Sequence, residues 1–151
     1  MNFEIGKNLL DKTSADVALV FAFEDKKSYK LTPAAEVLDL VLNKSITNGL
    51  DFENFAGKDA EIFSAFTNNV IVPKKVAVVG LGKKEKLTAH NLRQTVAKFA
   101  RSLNKKVNSV SVALLDDVKI SHAEQAQMIA EGFLMGSYRF SEYLKKEKTN
   151  R

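Results

Sequence analysis

The sequence contains no cysteine, only two prolines, and no apolar run near the roughly 20 residues that a membrane-spanning helix needs. Without cysteine, disulfides and thiolate metal sites are excluded. Charged residues interrupt the first twelve positions, so we expect no signal peptide. These absences favour a protein of the reducing cytoplasm that has no membrane partner.

The remaining composition is that of an ordinary globular chain, but its charge is unevenly distributed. Its 151 residues suit one domain, and apolar and charged residues make up 45% and 27% of them. Residues 83–106 carry eight Lys or Arg against one acid, whereas residues 1–60 carry seven bases and ten acids. The basic block could contact nucleic acid or an acidic partner. A solvated helix face is the simpler explanation.

Apolar runs alternate with stretches of helical periodicity, which predicts an α/β domain of five or six strands and three helices in layers. Helices are expected to begin after Thr32, Thr88 and Ser121, each a suitable N-cap. The glycine-punctuated segment 43–57 is expected to be a loop. We predict strands at 16–23, 61–66, 69–72, 76–79 and 107–115.

Two of these helices carry predictions about which side is buried. The first helix places four apolar residues at helical spacing, which we expect to be buried: Val37, Leu38, Val41 and Leu42. On the last helix, Gly132 and Gly136 lie one turn apart, and each costs about 1 kcal/mol of helix propensity relative to alanine. We therefore expect another backbone to approach closely at these glycines.

No motif in the chain assembles a convincing reaction centre. The segment Gly80-Leu81-Gly82-Lys83 is too short for a phosphate loop and lacks the third glycine of a dinucleotide site, so we expect a tight turn with positive φ. His90 and His122 have no histidine at i+4, and we expect both in exposed first turns. No serine lies in a Gly-x-Ser-x-Gly elbow. We therefore assign no catalytic and no metal-binding residue.

Two segments resemble a known family. The segments 130–140 (Ala-Glu-Gly-Phe-Leu-Met-Gly-Ser-Tyr-Arg-Phe) and 75–83 (Lys-Val-Ala-Val-Val-Gly-Leu-Gly-Lys) look like the N-terminal domain of the leucyl aminopeptidase, or cytosol aminopeptidase, family. The resemblance implies a macro-domain-like mixed sheet covered by helices. It also implies a C-terminal domain that holds two divalent metals, manganese or zinc, in a hexameric enzyme that removes N-terminal residues from peptides. The family's Asn-Thr-Asp-Ala-Glu-Gly-Arg metal motif has no counterpart in this chain.

The resemblance also implies a domain boundary. Residues 1–143 are expected to form a non-catalytic α/β domain without a cofactor, and residues 144–151 the start of an interdomain linker. We expect six residues to pack against, or lead into, the catalytic domain: Gly132, Gly136, Tyr138, Arg139, Phe140 and Tyr143.

Two alternative functions remain open. The first is a DNA-binding module, because Lys98, Arg101 and Lys105 recur on one predicted helix face and some members of the resembled family bind DNA. The second is a macro-like ADP-ribose binder, which rests on fold analogy alone.

Overall fold

The computed structural model describes the backbone of residues 2–6, 12–26 and 28–149, and the side chains of residues 12–26 and 28–136. Within this described part, no helix has the length and apolarity required to span a bilayer. The strands are β1 (Asn2–Gly6), β2 (Val17–Asp25), β3 (Ser28–Leu31), β4 (Ile62–Phe66), β5 (Lys75–Lys83) and β6 (Ser109–Ala113). The helices are α1 (Pro33–Val41), α2 (Ser45–Phe52), α3 (Ala89–Ser102) and α4 (His122–Thr149).

The six strands form one mixed sheet in the order β1-β6-β2-β5-β4, with β3 paired to β2. Strands β1, β6, β2 and β5 run parallel to one another, whereas β3 is antiparallel to β2 and β4 is antiparallel to β5. The nearly continuous apolar run of β2 follows from its central position, because both of its faces are buried. The predicted α/β class and mixed sheet are confirmed.

Helices cover both faces of this sheet. Leu19 and Phe21 of β2 point into a core shared with α3 and α4, and Ala18 and Val20 point into a second core shared with α1 and α2. Side chains alternate between the two faces of a strand, so one sequence run supplies both cores.

The predicted loop at 43–57 is wrong, because α2 occupies its centre. Ile46 and Leu50 are buried in the core beneath this helix. Gly49 lies inside α2, and a Cβ at this position would overlap the ring of Phe63 on β4. The glycine that suggested a loop therefore allows a close contact between helix and sheet.

The predicted strand at 69–72 is also wrong. Asn68 and Asn69 have φ of 53° and 65°, which is left-handed and incompatible with an extended strand. The backbone N–H of Thr67 donates to the carbonyl of Lys74 at 2.9 Å, and its hydroxyl donates to the carbonyl of Pro73 at 2.5 Å. Residues 68–73 thus form a closed loop between β4 and β5.

The buried stripe of α1 is only half as predicted. Leu38 and Leu42 are buried, whereas Val37 and Val41 are 49% and 41% exposed. Buried Asp39 takes a place on the inner face, where its carboxylate accepts the N–H of Thr47 on α2 at 3.0 Å. A carboxylate with such a partner can occupy a position that apolar spacing alone would not assign to it.

Candidate functional site

The described part of α4 packs on α3 through its two glycines. A Cβ at Gly132 would lie 2.8 Å from the carbonyl oxygen of Arg93, and one at Gly136 would lie 2.9 Å from that of Ala97. Any side chain here would therefore push the two helices apart. The predicted close backbone approach is present, and the approaching backbone is α3 of the same domain.

The remaining residues assigned to interdomain packing follow along the same helix. The backbone of α4 continues through Tyr138, Arg139, Phe140 and Tyr143 to Thr149, but their side chains lie outside the described residues. The boundary expected after Tyr143 falls within this continuous helix. Contact of these residues with a second domain stays a prediction.

A cleft of about 500 Å³ lies where the parallel strands β2, β5 and β6 end. Two lysines, Lys30 and Lys84, face it against six carboxylates: Glu24, Asp25, Glu36, Glu85, Asp116 and Asp117. The carboxyl ends of parallel strands are a common place for ligands in α/β proteins. The excess of negative charge repels a diphosphate, so the cleft does not favour ADP-ribose.

The Gly80-Leu81-Gly82 segment is part of β5, and the backbone amides of its two glycines are already hydrogen-bonded. The N–H groups of Gly80 and Gly82 donate to the carbonyls of Glu61 and Gly57 at 2.8 and 2.9 Å. Gly82 has the expected positive φ of 74°, whereas Gly80 lies in the strand, where a Cβ would overlap the carbonyl oxygen of Lys58. The amides of both glycines therefore bond the segment between α2 and β4 and are not available to a phosphate.

The two histidines are far apart in the sequence and engage separate partners. His90 is exposed in the first turn of α3, with Nδ1 3.1 Å from an Arg93 guanidinium nitrogen. His122 begins α4 and is half-buried, with Nε2 3.1 Å from a carboxylate oxygen of Asp116. Among the residues whose side chains are described, no three His, Cys, Asp or Glu cluster as a metal site would require.

The basic residues proposed to contact nucleic acid do not share one helix. Lys98 is exposed on α3 and Arg101 is half-buried near its end. Since α3 ends at Ser102, Lys105 lies in the following loop, so the i+7 spacing does not place it on the helix face. The loop forms because Leu103 leaves the helical conformation, with φ −70° and ψ 143°.

Gln125 is a buried residue that sequence reasoning missed. Its Oε1 accepts the N–H of Leu115 at 2.7 Å, and its Nε2 donates to the carbonyls of Leu115 and Ile120 at 3.0 and 2.8 Å. These bonds fix the loop between β6 and α4. The spacing of Gln125, Ile129 and Phe133, each four residues apart on α4, places all three on the buried face of the helix. This spacing could have predicted the burial of Gln125, but a polar residue is not normally assigned to a buried face.

Comparison with known proteins places this architecture in a family. The model of the cytosol aminopeptidase family, N-terminal domain, matches residues 19–147. A probable cytosol aminopeptidase of Aquifex aeolicus is 32% identical over 143 residues, covering 94% of this chain and 28% of that protein. One from Alkaliphilus metalliredigens is 28% identical over 145 residues, covering 95% of this chain and 29% of that protein.

Solved structures share the fold. A tomato leucine aminopeptidase mutant superposes with a TM-score of 0.68 at 18% identity, covering 91% of this chain and 28% of that one. The bottromycin maturation enzyme BotP gives 0.60 at 21% identity, covering 85% and 24%. The chain therefore spans less than a third of the proteins it matches. It belongs to the cytosol aminopeptidase family, of which it is the N-terminal domain.

Proposed function

We propose that this chain is the non-catalytic structural and assembly domain of a metal-dependent leucyl aminopeptidase, which removes N-terminal residues from peptides. The observation that carries the proposal is the family match over residues 19–147 of a chain that covers 28–29% of its aminopeptidase relatives. The reaction would belong to the other part of the longer protein. There, two divalent ions, manganese or zinc, would stabilise the attacking and leaving oxygens. One of the solved structural neighbours is BotP in complex with Mn.

In this proposal, α4 connects the domain to the catalytic part. Gly132 and Gly136 hold the first half of the helix on α3. Tyr138, Arg139, Phe140 and Tyr143 then continue on the same backbone and contact the catalytic domain, and residues 144–151 lead into it. We assign the longer protein to the cytoplasm as a homohexamer.

The assignment is tested by hydrolysis of leucine amide in the presence of Mn²⁺ or Zn²⁺. We expect turnover by a longer protein that contains this domain and none by the 151-residue chain, because a two-metal site requires several convergent ligands. Circular dichroism of the short chain verifies that it is folded in the assay. Sustained metal-dependent hydrolysis by the folded short chain would contradict the proposal.

DNA binding is the second candidate, favoured by exposed Lys98 and by the net charge of +7 over residues 83–106. Contacts of lysine and arginine with phosphates give affinity that falls steeply with salt. We expect the change of Lys98, Arg101 and Lys105 to glutamine to weaken duplex binding and to reduce its salt dependence. If the triple variant binds duplex DNA with unchanged affinity, these three residues do not form the DNA-binding surface.

A further inference from the structure

The edge strand β4 leaves one patch of the sheet uncovered. Ile62 pairs with Val79 and Ser64 with Ala77, both of which point into the core beneath α3 and α4. Paired residues share a face of the sheet, so this side of β4 faces the same layer. The helices do not cover it, and Ile62 and Phe66 are 38% and 72% exposed.

A groove of about 650 Å³ therefore lies between β4 and the end of α3; we call it the β4 groove. Seven of the residues that line it are apolar: Val17, Ile62, Phe66, Ala77, Phe99, Leu103 and Val107. An apolar groove beside a packed helix can bind the apolar face of one further helix.

The rim of the β4 groove is basic. Lys74, Lys75 and Lys106 line it, and Nζ of Lys75 lies 5.0 Å from the ring centroid of Phe66. Asp16 is the only carboxylate among the described residues that line the groove, and it accepts the N–H of Asn108 at 2.7 Å. The rim thus favours an occupant that carries acidic side chains.

On the other side of the sheet, helix α1 exposes apolar side chains at a spacing that fits such a groove. Val37, Leu40 and Val41 of α1, which we call the α1 face, are 49%, 66% and 41% exposed. Their i, i+3, i+4 spacing is how a helix presents anchors to a groove. Exposed Glu36 adjoins them, and exposed Lys44, which follows α1, lies 3.8 Å from the Asp39 carboxylate.

One copy cannot bring these two surfaces together. The α1 face belongs to the layer on one side of the sheet, and the β4 groove opens on the other. The charges also differ: α1 carries Glu36 and buried Asp39 and no base, whereas Lys74, Lys75 and Lys106 line the groove. Two copies arranged head to tail would pair an acidic helix with a basic-rimmed groove.

We propose that a second copy of this chain places its α1 face in the β4 groove. Such a contact is heterologous, since the two surfaces differ, and it generates a closed ring or an open chain of copies. The interface does not depend on the aminopeptidase activity proposed above.

Sedimentation velocity of the 151-residue chain over a range of concentrations tests this association. We expect the mean mass to rise with concentration and the association to weaken with salt. Leu40→Lys adds positive charge to the α1 face, and Phe66→Glu adds negative charge to the groove. Each variant should weaken association at least tenfold. Leu134→Lys, at an apolar position 63% exposed on α4, is the matched control and should associate as the parent does.

Mixing the two variants makes the test specific. The Leu40→Lys protein keeps its groove and the Phe66→Glu protein keeps its α1 face, so the mixture should form a one-to-one dimer although each protein alone stays monomeric. A parent that is monomeric throughout overturns the proposal, as does a mixture that remains monomeric. Association that is lost in Phe66→Glu but unaffected by Leu40→Lys would indicate symmetric pairing of β4 edges and would overturn it as well.

Discussion

At the scale of single residues, polar side chains connect neighbouring elements through hydrogen bonds. Gln125 bonds three backbone groups of the loop between β6 and α4. Tyr29 of β3 donates its hydroxyl to a carboxylate oxygen of Asp51 on α2 at 2.7 Å. Burial, followed by this hydrogen bond, raises the pKa of Tyr29 well above its ordinary value. The protonated phenol thus connects the edge strand to the helix.

We expect Gln125→Leu to lower the free energy of unfolding by about 3 kcal/mol, because it leaves buried backbone donors and acceptors without partners. Urea denaturation followed by circular dichroism measures this change. Gln127→Leu, at an exposed position of the same helix, is the matched control and should change stability by no more than about 0.5 kcal/mol. Equal stability of the two variants would show that the bonds of Gln125 contribute nothing net.

At the scale of elements, contact with a neighbour overrides local preference. The two glycines of α4 weaken the helix by propensity but let it lie against α3. Between the same two helices, the rings of Phe99 on α3 and Phe133 on α4 pack edge to face, with their centroids 6.3 Å apart. Close backbone approach and aromatic packing together join these two helices.

Gly136→Ala should therefore destabilise the domain despite its gain of about 1 kcal/mol in helix propensity. The added methyl would lie 2.5 Å from Cβ of Ala100 and must displace one of the helices. We expect a net loss of about 1–2 kcal/mol in thermal or urea unfolding.

Two further variants identify the cause of that loss. Gln127→Ala, on an exposed part of α4, should be close to neutral. Ala100→Gly should cost less in the Gly136→Ala background than alone, because it removes the overlapping methyl. Strict additivity of the two changes would argue against a direct clash.

At the scale of the whole molecule, one sheet joins the two cores. Fully buried Leu92 of α3 belongs to one core and fully buried Leu50 of α2 to the other. Both cores pack on β2 and β5, so neither layer can detach without exposing the central strands. The domain is accordingly expected to unfold as a single cooperative unit.

Leu92→Ala and Leu50→Ala should each lower stability by about 2–5 kcal/mol and shift the same transition. Far-ultraviolet circular dichroism and near-ultraviolet absorbance should report coincident midpoints in both variants. Val72→Ala, at an exposed loop position, is the control and should leave the midpoint nearly unchanged. A separate early transition in either variant would mean that one layer unfolds independently.

Much of the fold could be predicted because several of its signals are local. The apolar run of β2 and the N-cap of α3 are contained within a few residues; the Thr88 hydroxyl accepts the N–H of Asn91 at 3.1 Å, as its position predicts. The α2 helix and the exposure of Val37 were missed because both depend on contacts with other elements of the fold. The ring of Phe63 on β4 leaves no room for a side chain at position 49, which explains the glycine inside α2. The hydrogen bond from the N–H of Thr47 explains why Asp39 can be buried on the inner face of α1. The resemblance read from the 130–140 segment gave the family correctly.

The sequence by itself determined the α/β class, the helices that begin after Thr32, Thr88 and Ser121, the close backbone approach at Gly132 and Gly136, and the family, since these depend on periodicity, backbone freedom and local motifs. Only the tertiary structure decided which backbone lies against those glycines, which amides of the Gly80-Leu81-Gly82 segment are already bonded, and which apolar surfaces remain uncovered. The reason is geometric: a side chain's burial depends on the elements packed around it, and in this sheet those neighbours come from distant parts of the chain.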